Sequence, residues 1–384
     1  MSKLSAADIL SQLIQFDTVS RRSNLELLGW VETYLETFGV KSRRIYDDTG
    51  KKANLIATIG DPTVPGYILS GHVDVVPVDD QDWSFDPFGG EIRDGMVLGR
   101  GASDMKGYVA CVLAAVPEMT AKPLATPLHI VLSHDEEVGC IGVRTAIAEI
   151  AQWETLPKGC FVGEPTDMGV IIGHKAKRAE RVVIKGFTAH SSLAPTAVNS
   201  VEYAARLTTF ISDMGRDLQK NGARDPYFDV PHTTAHVGVS HGGSMVNIVP
   251  DHTQIDFEVR AISADNPAEL VEQVRAFAKG TLEPQMQAVK PDCNIHFETL
   301  SDTPGLDTCP DADIVATVKA LSQKNNHSKV AFGTEAGLFA EVHIPTVVVG
   351  PGNIDRAHKP DEFIKVSELE SCGLFLSNLI AQCV

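Results

Sequence analysis

Between residues 177 and 301 the pattern of the chain changes, and that change limits the possible folds more than any other feature. Residues 1–176 alternate helical and extended stretches. Asn24 to Phe38 reads as a helix, and Asn54 to Ile59 and Tyr67 to Ser70 as short apolar strands. Gly107 to Met119 reads as a helix, Leu128 to Ser133 as a strand, Gly139 to Ile150 as a helix and Gly159 to Val162 as a strand. Such alternation predicts an α/β layer built on a mixed, mostly parallel sheet flanked by helices.

The middle segment follows another order. A strand at Arg181 to Phe187 precedes a helix with Val201, Ala204, Ala205, Ile211, Met214 and Leu218 on one stripe. Strands at Thr233 to Val239 and Gln254 to Ile262 come next. A helix then starts at Asn266, with Pro267 at its first position and Glu269 placed for a capping box, and ends at Gly280. Cys293 to Leu300 is the last strand. The order β-α-β-β-α-β is that of the ferredoxin-like split βαβ unit. After about residue 302 the α/β rhythm returns, with a helix near Asp311 to Lys324, the strand Thr346 to Gly350, and a final helix from a Ser367–Glu370 capping box. At 384 residues the chain exceeds the roughly 250–300 at which one core stops growing. The expectation is a domain of residues 1–176 and 302–384 with a second, 177–301, inserted into it.

Composition excludes several function classes. A formal charge of −17 repels phosphate backbones and anionic lipid headgroups, which argues against nucleic-acid and membrane-surface partners. The longest apolar run, Tyr108 to Val116, is about half of the ~18–20 residues of a membrane span. The opening segment lacks a signal peptide's apolar core, and Ile9, Leu10, Leu13 and Ile14 share one helical face instead. Seven cysteines, never spaced as CxxC, read as reduced thiols of a cytoplasmic protein.

Five polar motifs follow strands or glycine turns: Gly71-His72-Val73-Asp74, Gly101-Ala102-Ser103-Asp104, Asp135-Glu136-Glu137, Gly163-Glu164-Pro165 and Ala357-His358-Lys359-Pro360. Ligands of open α/β sheets bind beyond the carboxyl ends of the strands, so all five would converge on one edge. Each alone has an ordinary explanation. His72-x-Asp74 could be a surface pair, the acidic triplet a helix N-terminus, and Gly99 to Gly107 a turn that lacks the GK[ST] ending of a phosphate loop. Together they form a donor set of imidazoles and carboxylates without thiolate, which suits an open catalytic zinc site. With Asp104, Glu137 and Glu164 ionised and His72 and His358 neutral, two divalent cations and one hydroxide bring the cluster close to neutrality. Asp74, two residues beyond His72 on the same side of a strand, could accept the second imidazole N–H. Glu136 and Glu137 could divide metal binding and proton transfer between them, and the residue pattern alone does not assign which does which.

The segments GHVDVVPV…W…DPF (71–88), GRGASDMKG (99–107), DEEVGCIG (135–142), GEPTDMG (163–169), AHSS (189–192), NIVPD (247–251) and AHKPDEF (357–363) carry a family likeness. In order and spacing the chain resembles, over essentially its whole length, the dinuclear-zinc deacylases and peptidases, a group that includes acetylornithine deacetylases, succinyl-diaminopimelate desuccinylases and aminoacylases. The resemblance implies a zinc-exopeptidase-like catalytic domain and an inserted domain that serves as lid and dimerisation module. It implies two divalent ions, zinc by default with cobalt or manganese possible. His72, Asp104 and Glu164 would hold one ion, and Asp104, Glu137 and His358 the other. A metal-bridged hydroxide would attack the amide, with Glu136 as general base and Asp74 beside His72. His190, donated by the partner of a homodimer, would help stabilise the oxyanion. A cis peptide at Asp104-Met105 is also a habit of the family.

By the same likeness, Asn247 and Arg260 would bind the carboxylate end of the substrate, with Thr334 as a hydrogen-bonding loop residue. Glu335 departs from the desuccinylase pattern and would suit a substrate carrying a free ammonium. The segments HVDVVPVDDQDW, GEPTDM, GTEAG (333–337) and AHKPDE point within the group to the branch that cleaves N2-acetyl-L-ornithine in arginine biosynthesis. A desuccinylase, carboxypeptidase or aminoacylase is the alternative within the same chemistry; a non-hydrolysing amino-acid-binding relative and a two-carboxylate glycosidase lie outside it. His134 reads as structural, and Lys175, Lys177, Arg178 and Arg181 as a solvated junction.

Overall fold

The computed structural model describes residues 4–384, which divide into two compact units. The first comprises the described residues up to 173 with 306–329 and 334–384, and the second 174–305 and 330–333. Each unit has its own apolar core.

In the first unit the central sheet follows the order Ser42–Tyr46, Ala53–Ile59, Leu128–Ser133, Tyr67–His72, Gly159–Val162, Thr346–Val348, Ile171–His174, Leu306–Asp307. Its middle four strands are parallel, while Ala53–Ile59 and Ser42–Tyr46 run antiparallel on one side. The parallel strands are buried along nearly their whole length, as strands covered by helices on both faces must be. Helix Ala6–Ile14 presents Ile9, Leu10, Leu13 and Ile14 to the core, all with no solvent exposure. Helix Lys106–Met119 is buried on most faces. Its Lys106 ammonium donates to the carbonyls of Leu13 and Phe16, which satisfies the exit of the first helix. The acidic triplet precedes helix Val143–Ile150, which starts later than expected because Gly139 and Cys140 take up left-handed turns. The final helix is Val366–Cys383, and its N-terminal bond runs from the Lys365 N–H to Glu368 at 2.9 Å rather than through Ser367 and Glu370. Arg356 binds the same Glu368 through both guanidinium nitrogens and leaves its carboxylate well placed for that cap.

The second unit is a four-stranded antiparallel sheet ordered Thr234–Gly242, His252–Ala261, Ala176–Lys185, Asn294–Thr303, with helices Ser200–Asn221 and Pro267–Phe277. This is the ferredoxin-like β-α-β-β-α-β order. Asn199 caps the first helix by accepting from Val201 N–H at 3.0 Å, and Asn266 caps the second by accepting from Ala268 N–H at 2.9 Å. Ala204, Leu207 and Ile211 are the buried stripe of the first helix, whereas Val201 and Ala205 face solvent. Gly280 does not end the second helix: the chain passes through a π-turn at Ala278–Leu282 and continues as Glu283–Val289. A side chain added at Gly280 would meet open space, so this glycine is not demanded by packing.

Among the described residues, no helix is long and apolar enough to cross a membrane.

Candidate metal centre

Four parallel strands of the first unit end at one edge of the sheet, and the polar motifs leave from there. His72 is the last residue of its strand, the acidic triplet follows Leu128–Ser133, Glu164 follows Gly159–Val162, and His358 lies beyond Thr346–Val348. Asp104 sits on the turn into helix Lys106–Met119, and its peptide bond to Met105 is cis. The carboxylate of Asp104 has one oxygen on each imidazole: Oδ1 is 3.1 Å from His72 Nε2, and Oδ2 is 3.3 Å from His358 Nε2. Glu164 approaches the same His72 nitrogen at 3.9 Å, and Glu137 approaches His358 Nε2 at 3.0 Å. Ligand atoms of His72, Asp104 and Glu137 lie within 4.8 Å of one another, as do those of His72, Glu136 and Glu164. Glu136 therefore stands at the edge of the donor set itself. The side chains of His72, Asp104, Glu137 and Glu164 are at most 8% exposed, whereas that of His358 is 56% exposed.

Burial of so many acids in one place costs free energy, and the titration of the groups records it. Burial pushes the Glu136 carboxyl up to about 8, with Glu137 and Asp104 adding to the shift. Burial and then Asp104 raise Glu137 and, more strongly, Glu164. Asp104 moves the other way. Against its burial, hydrogen bonds from His358 and His72 hold it below the usual carboxylate range. Hydrogen bonds to Asp104 and Glu137 lift His358 to about 10, and Asp104 lifts His72 in spite of complete burial. The cluster thus needs positive charge, which protons on imidazoles supply in the isolated protein. Divalent cations fit the same donors better, with neutral imidazole nitrogens and ionised carboxylates facing them.

The loop carrying the two glutamates is held from below. The Asp74 carboxylate accepts from Ser20 Oγ at 2.7 Å, from Glu136 N–H at 3.1 Å and from Glu137 N–H at 3.4 Å. Its role differs from the expected one: the second nitrogen of His72 bonds the Asp74 backbone carbonyl at 2.9 Å, and the carboxylate stays 3.6 Å away. The two backbone N–H groups of the acidic loop out-compete the imidazole for it. Asp135 adopts φ 55° and is clamped by Lys52 Nζ at 2.6 and 2.7 Å. The Cys140 thiol donates to Glu136 Oε1 at 3.3 Å. Across the site, Glu362 Oε1 accepts from the N–H groups of Ser103 and Asp104 at 2.9 and 3.1 Å. None of these supports was expected, although Glu362 and Cys140 lie inside the quoted motifs. Residue type alone carries no sign of a bond made to a backbone far away in sequence.

Glu335 requires a correction. It has no solvent exposure, and its oxygens accept from Ser70 Oγ at 2.5 Å and Ser133 Oγ at 2.7 Å, beneath the ends of two adjacent strands. A carboxylate so enclosed is not presented to a substrate ammonium. Thr334 is equally buried, and its hydroxyl accepts from Ala336 N–H at 3.1 Å to start helix Ala336–Glu341. His134 is buried beside Asp135, 3.4 Å from its carboxylate.

In the second unit, His190 is exposed and caps the short turn Ser191–Thr196. Its Nδ1 accepts from Ser192 N–H at 3.3 Å and lies 2.8 Å from Ser192 Oγ, which leaves the proton on Nε2. Asn247 is exposed, and its carbonyl accepts from Ser191 N–H at 3.0 Å. The Arg260 guanidinium is half-buried and paired with Glu258 at 2.9 Å. Lys175 is buried, with its ammonium on the His232 carbonyl at 2.6 Å, so it is not part of a solvated junction.

Residues 68–382 match the profile of Peptidase family M20/M25/M40. The acetylornithine deacetylase of Pasteurella multocida (strain Pm70) is 32% identical over 383 residues, covering 99% of this chain and 96% of that one. Among solved structures, an M20 family metallo-carboxypeptidase from Sulfolobus solfataricus superposes with a TM-score of 0.75 at 18% identity, covering 97% of both chains. A Bacillus subtilis protein described as a dinuclear metal binding peptidase of the M20 family superposes at 0.67 and 14% identity, covering 99% of this chain and 98% of that one.

Proposed function

Since the chain belongs to Peptidase family M20/M25/M40 and is a metal-dependent amide hydrolase, we propose that it removes the acetyl group of N2-acetyl-L-ornithine, releasing ornithine and acetate. The observation that carries the reading is the Asp104 carboxylate, one oxygen to each imidazole at the centre of a buried acidic cluster. Near-full-length similarity to an acetylornithine deacetylase supports the substrate class.

His72, Asp104 and Glu164 would hold one divalent cation and Asp104, Glu137 and His358 a second, supplying Lewis-acid polarisation of the amide carbonyl and acidification of water. Zinc suits these nitrogen and oxygen donors. Glu136 takes the proton of the attacking water and returns it to the leaving amine. The Cys140 thiol and the Asp74-bound backbone keep its carboxylate in place. With Nδ1 occupied by Ser192, His190 offers Nε2–H as a donor to the developing oxyanion. Arg260 and Asn247 take the carboxylate end of the substrate, and a homodimer in the cytoplasm belongs to the same reading.

Kinetics on zinc-reconstituted enzyme test it. N2-acetyl-ornithine should exceed N-succinyl-diaminopimelate and unblocked dipeptides in kcat/KM by about a hundredfold. Comparable turnover of all three would refute the substrate assignment. Because Glu335 is sealed under the strands, Glu335→Gln should leave KM for N2-acetyl-ornithine unchanged. Glu335→Ala, which strips two buried hydroxyls of their acceptor, should lower unfolding stability by about 2 kcal/mol or more in denaturant titrations. A raised KM in the glutamine variant would restore Glu335 as a substrate-reading residue.

A further inference from the structure

Arg100 and Glu362 form a buried ion pair, 2.7 Å apart with both side chains 1% exposed. Such a pair adds little stability over apolar side chains of the same size, so its bonding partners show what it does. Glu362 uses one oxygen for Arg100 and the other for the backbone N–H groups of Ser103 and Asp104. Arg100 donates onward to the Lys359 carbonyl at 3.2 Å and to Gln81 Oε1 at 2.5 Å. Gln81 closes the circuit by donating through Nε2 to the His358 carbonyl at 3.0 Å. Trp83 braces it, with its indole N–H on Gln81 Oε1 at 3.2 Å and its ring 4.9 Å from the guanidinium carbon.

The loop so gripped needs an outside hold. His358 and Asp361 both adopt left-handed backbone conformations, φ 62° and 58°, which cost of order 1 kcal/mol each for residues with side chains. Ser84 N–H binds Asp361 Oδ1 at 2.7 Å. His72 and Glu164 lie outside the circuit. His72 is oriented by the Asp74 carbonyl, and the Glu164 loop is tied through Thr166 to Gly350.

We propose that Gln81, Arg100 and Glu362 are positioning residues for the metal centre: Glu362, held by Arg100, fixes Asp104, which both cation sites share, whereas Gln81 acts through the His358 backbone on the cation affinity of the half made by Asp104, Glu137 and His358. The inference rests on the two-cation reading above. Gln81 is only half-buried, so its variants should fold. Gln81→Ala removes the donor. Gln81→Glu keeps the acceptor for Arg100 and Trp83 but cannot donate to the carbonyl.

Calorimetric titration of metal-free full-length protein with Zn²⁺ should resolve two binding steps, and His358→Ala should identify its own by losing it. In both Gln81 variants that step should weaken by about 10–100-fold while the other stays as in the wild type. Two unchanged steps, two equally weakened steps, or an effect confined to the unfolding temperature of the metal-free protein would overturn the inference. A wild-type protein taking fewer than two ions would instead refute the two-cation reading on which it rests.

Discussion

Glu136→Gln should lower kcat for amide hydrolysis by about 10²–10⁴-fold while both cations remain bound. Glutamine preserves the volume of the side chain and can still meet the Cys140 thiol, but it cannot accept a proton from water. Burial pushes the carboxyl up to about 8 in the metal-free protein, among acids that add to the shift, and cations beside it favour the ionised form that takes a proton from water. Its backbone is pinned by Asp74, so the substitution should leave the loop where it is. Steady-state kinetics together with metal analysis of the purified variant give the answer. A glutamine variant with wild-type kcat would remove Glu136 from proton transfer. One that loses a cation would make it a ligand, in keeping with its placement within 4.8 Å of His72 and Glu164 donors.

Gly163→Ala should destabilise the protein by at least about 3 kcal/mol and weaken metal binding with it. A Cβ built on Gly163 falls 1.9 Å from Tyr108 Cγ and 2.0 Å from Cδ1, far inside contact distance. Tyr108 cannot retreat easily: it is 1% exposed, and its hydroxyl reaches the Phe161 carbonyl at 3.4 Å. Backbone movement is also blocked, since even a Cβ at Gly350 would meet Gly163 O at 2.1 Å. Whatever yields displaces Glu164, the next residue. Denaturant unfolding measures the cost, and a Tyr108→Leu background should recover more than about 1 kcal/mol of it. An alanine variant that unfolds at the wild-type midpoint would show that the ring has room to move.

The folding pattern is legible where it rests on local periodicity. Runs such as Leu128 to Ser133 and Gly159 to Val162 are short, apolar and bounded by turn residues, so they announce themselves as buried strands. The Asn266-Pro267 start of a helix is equally plain. Errors arise where a local signal competes with a distant partner. Ser367 has the chemistry of a cap, but Glu368 is fixed by Arg356 and takes the position. Gly280 is a helix breaker by propensity, yet Leu282 and Met286 beyond it are wholly buried, which keeps the chain helical.

At the metal centre the same division holds. Each imidazole or carboxylate alone has an ordinary explanation, and it is their shared place after strands or glycine turns that marks them as candidate donors. Their supports carry no such mark. Nothing in a lone serine at 70 or 133 foretells that Glu335 will bond it, and nothing in Asp74 says that it will prefer two amide N–H groups to an imidazole.

Strand Thr346–Val348 lies between Gly159–Val162 and Ile171–His174 in the sheet, although nearly two hundred residues of chain separate it from them. On a ribosome, the slot for this strand must wait while the rest of the polypeptide is made. Until then two hydrogen-bonding edges lie open and His358 does not yet exist to complete the donor set. Growing chains should therefore gain their tight hold on metal late and abruptly, when this strand and His358 clear the exit tunnel, and a nascent chain stalled before them would be both metal-poor and prone to stick to its neighbours.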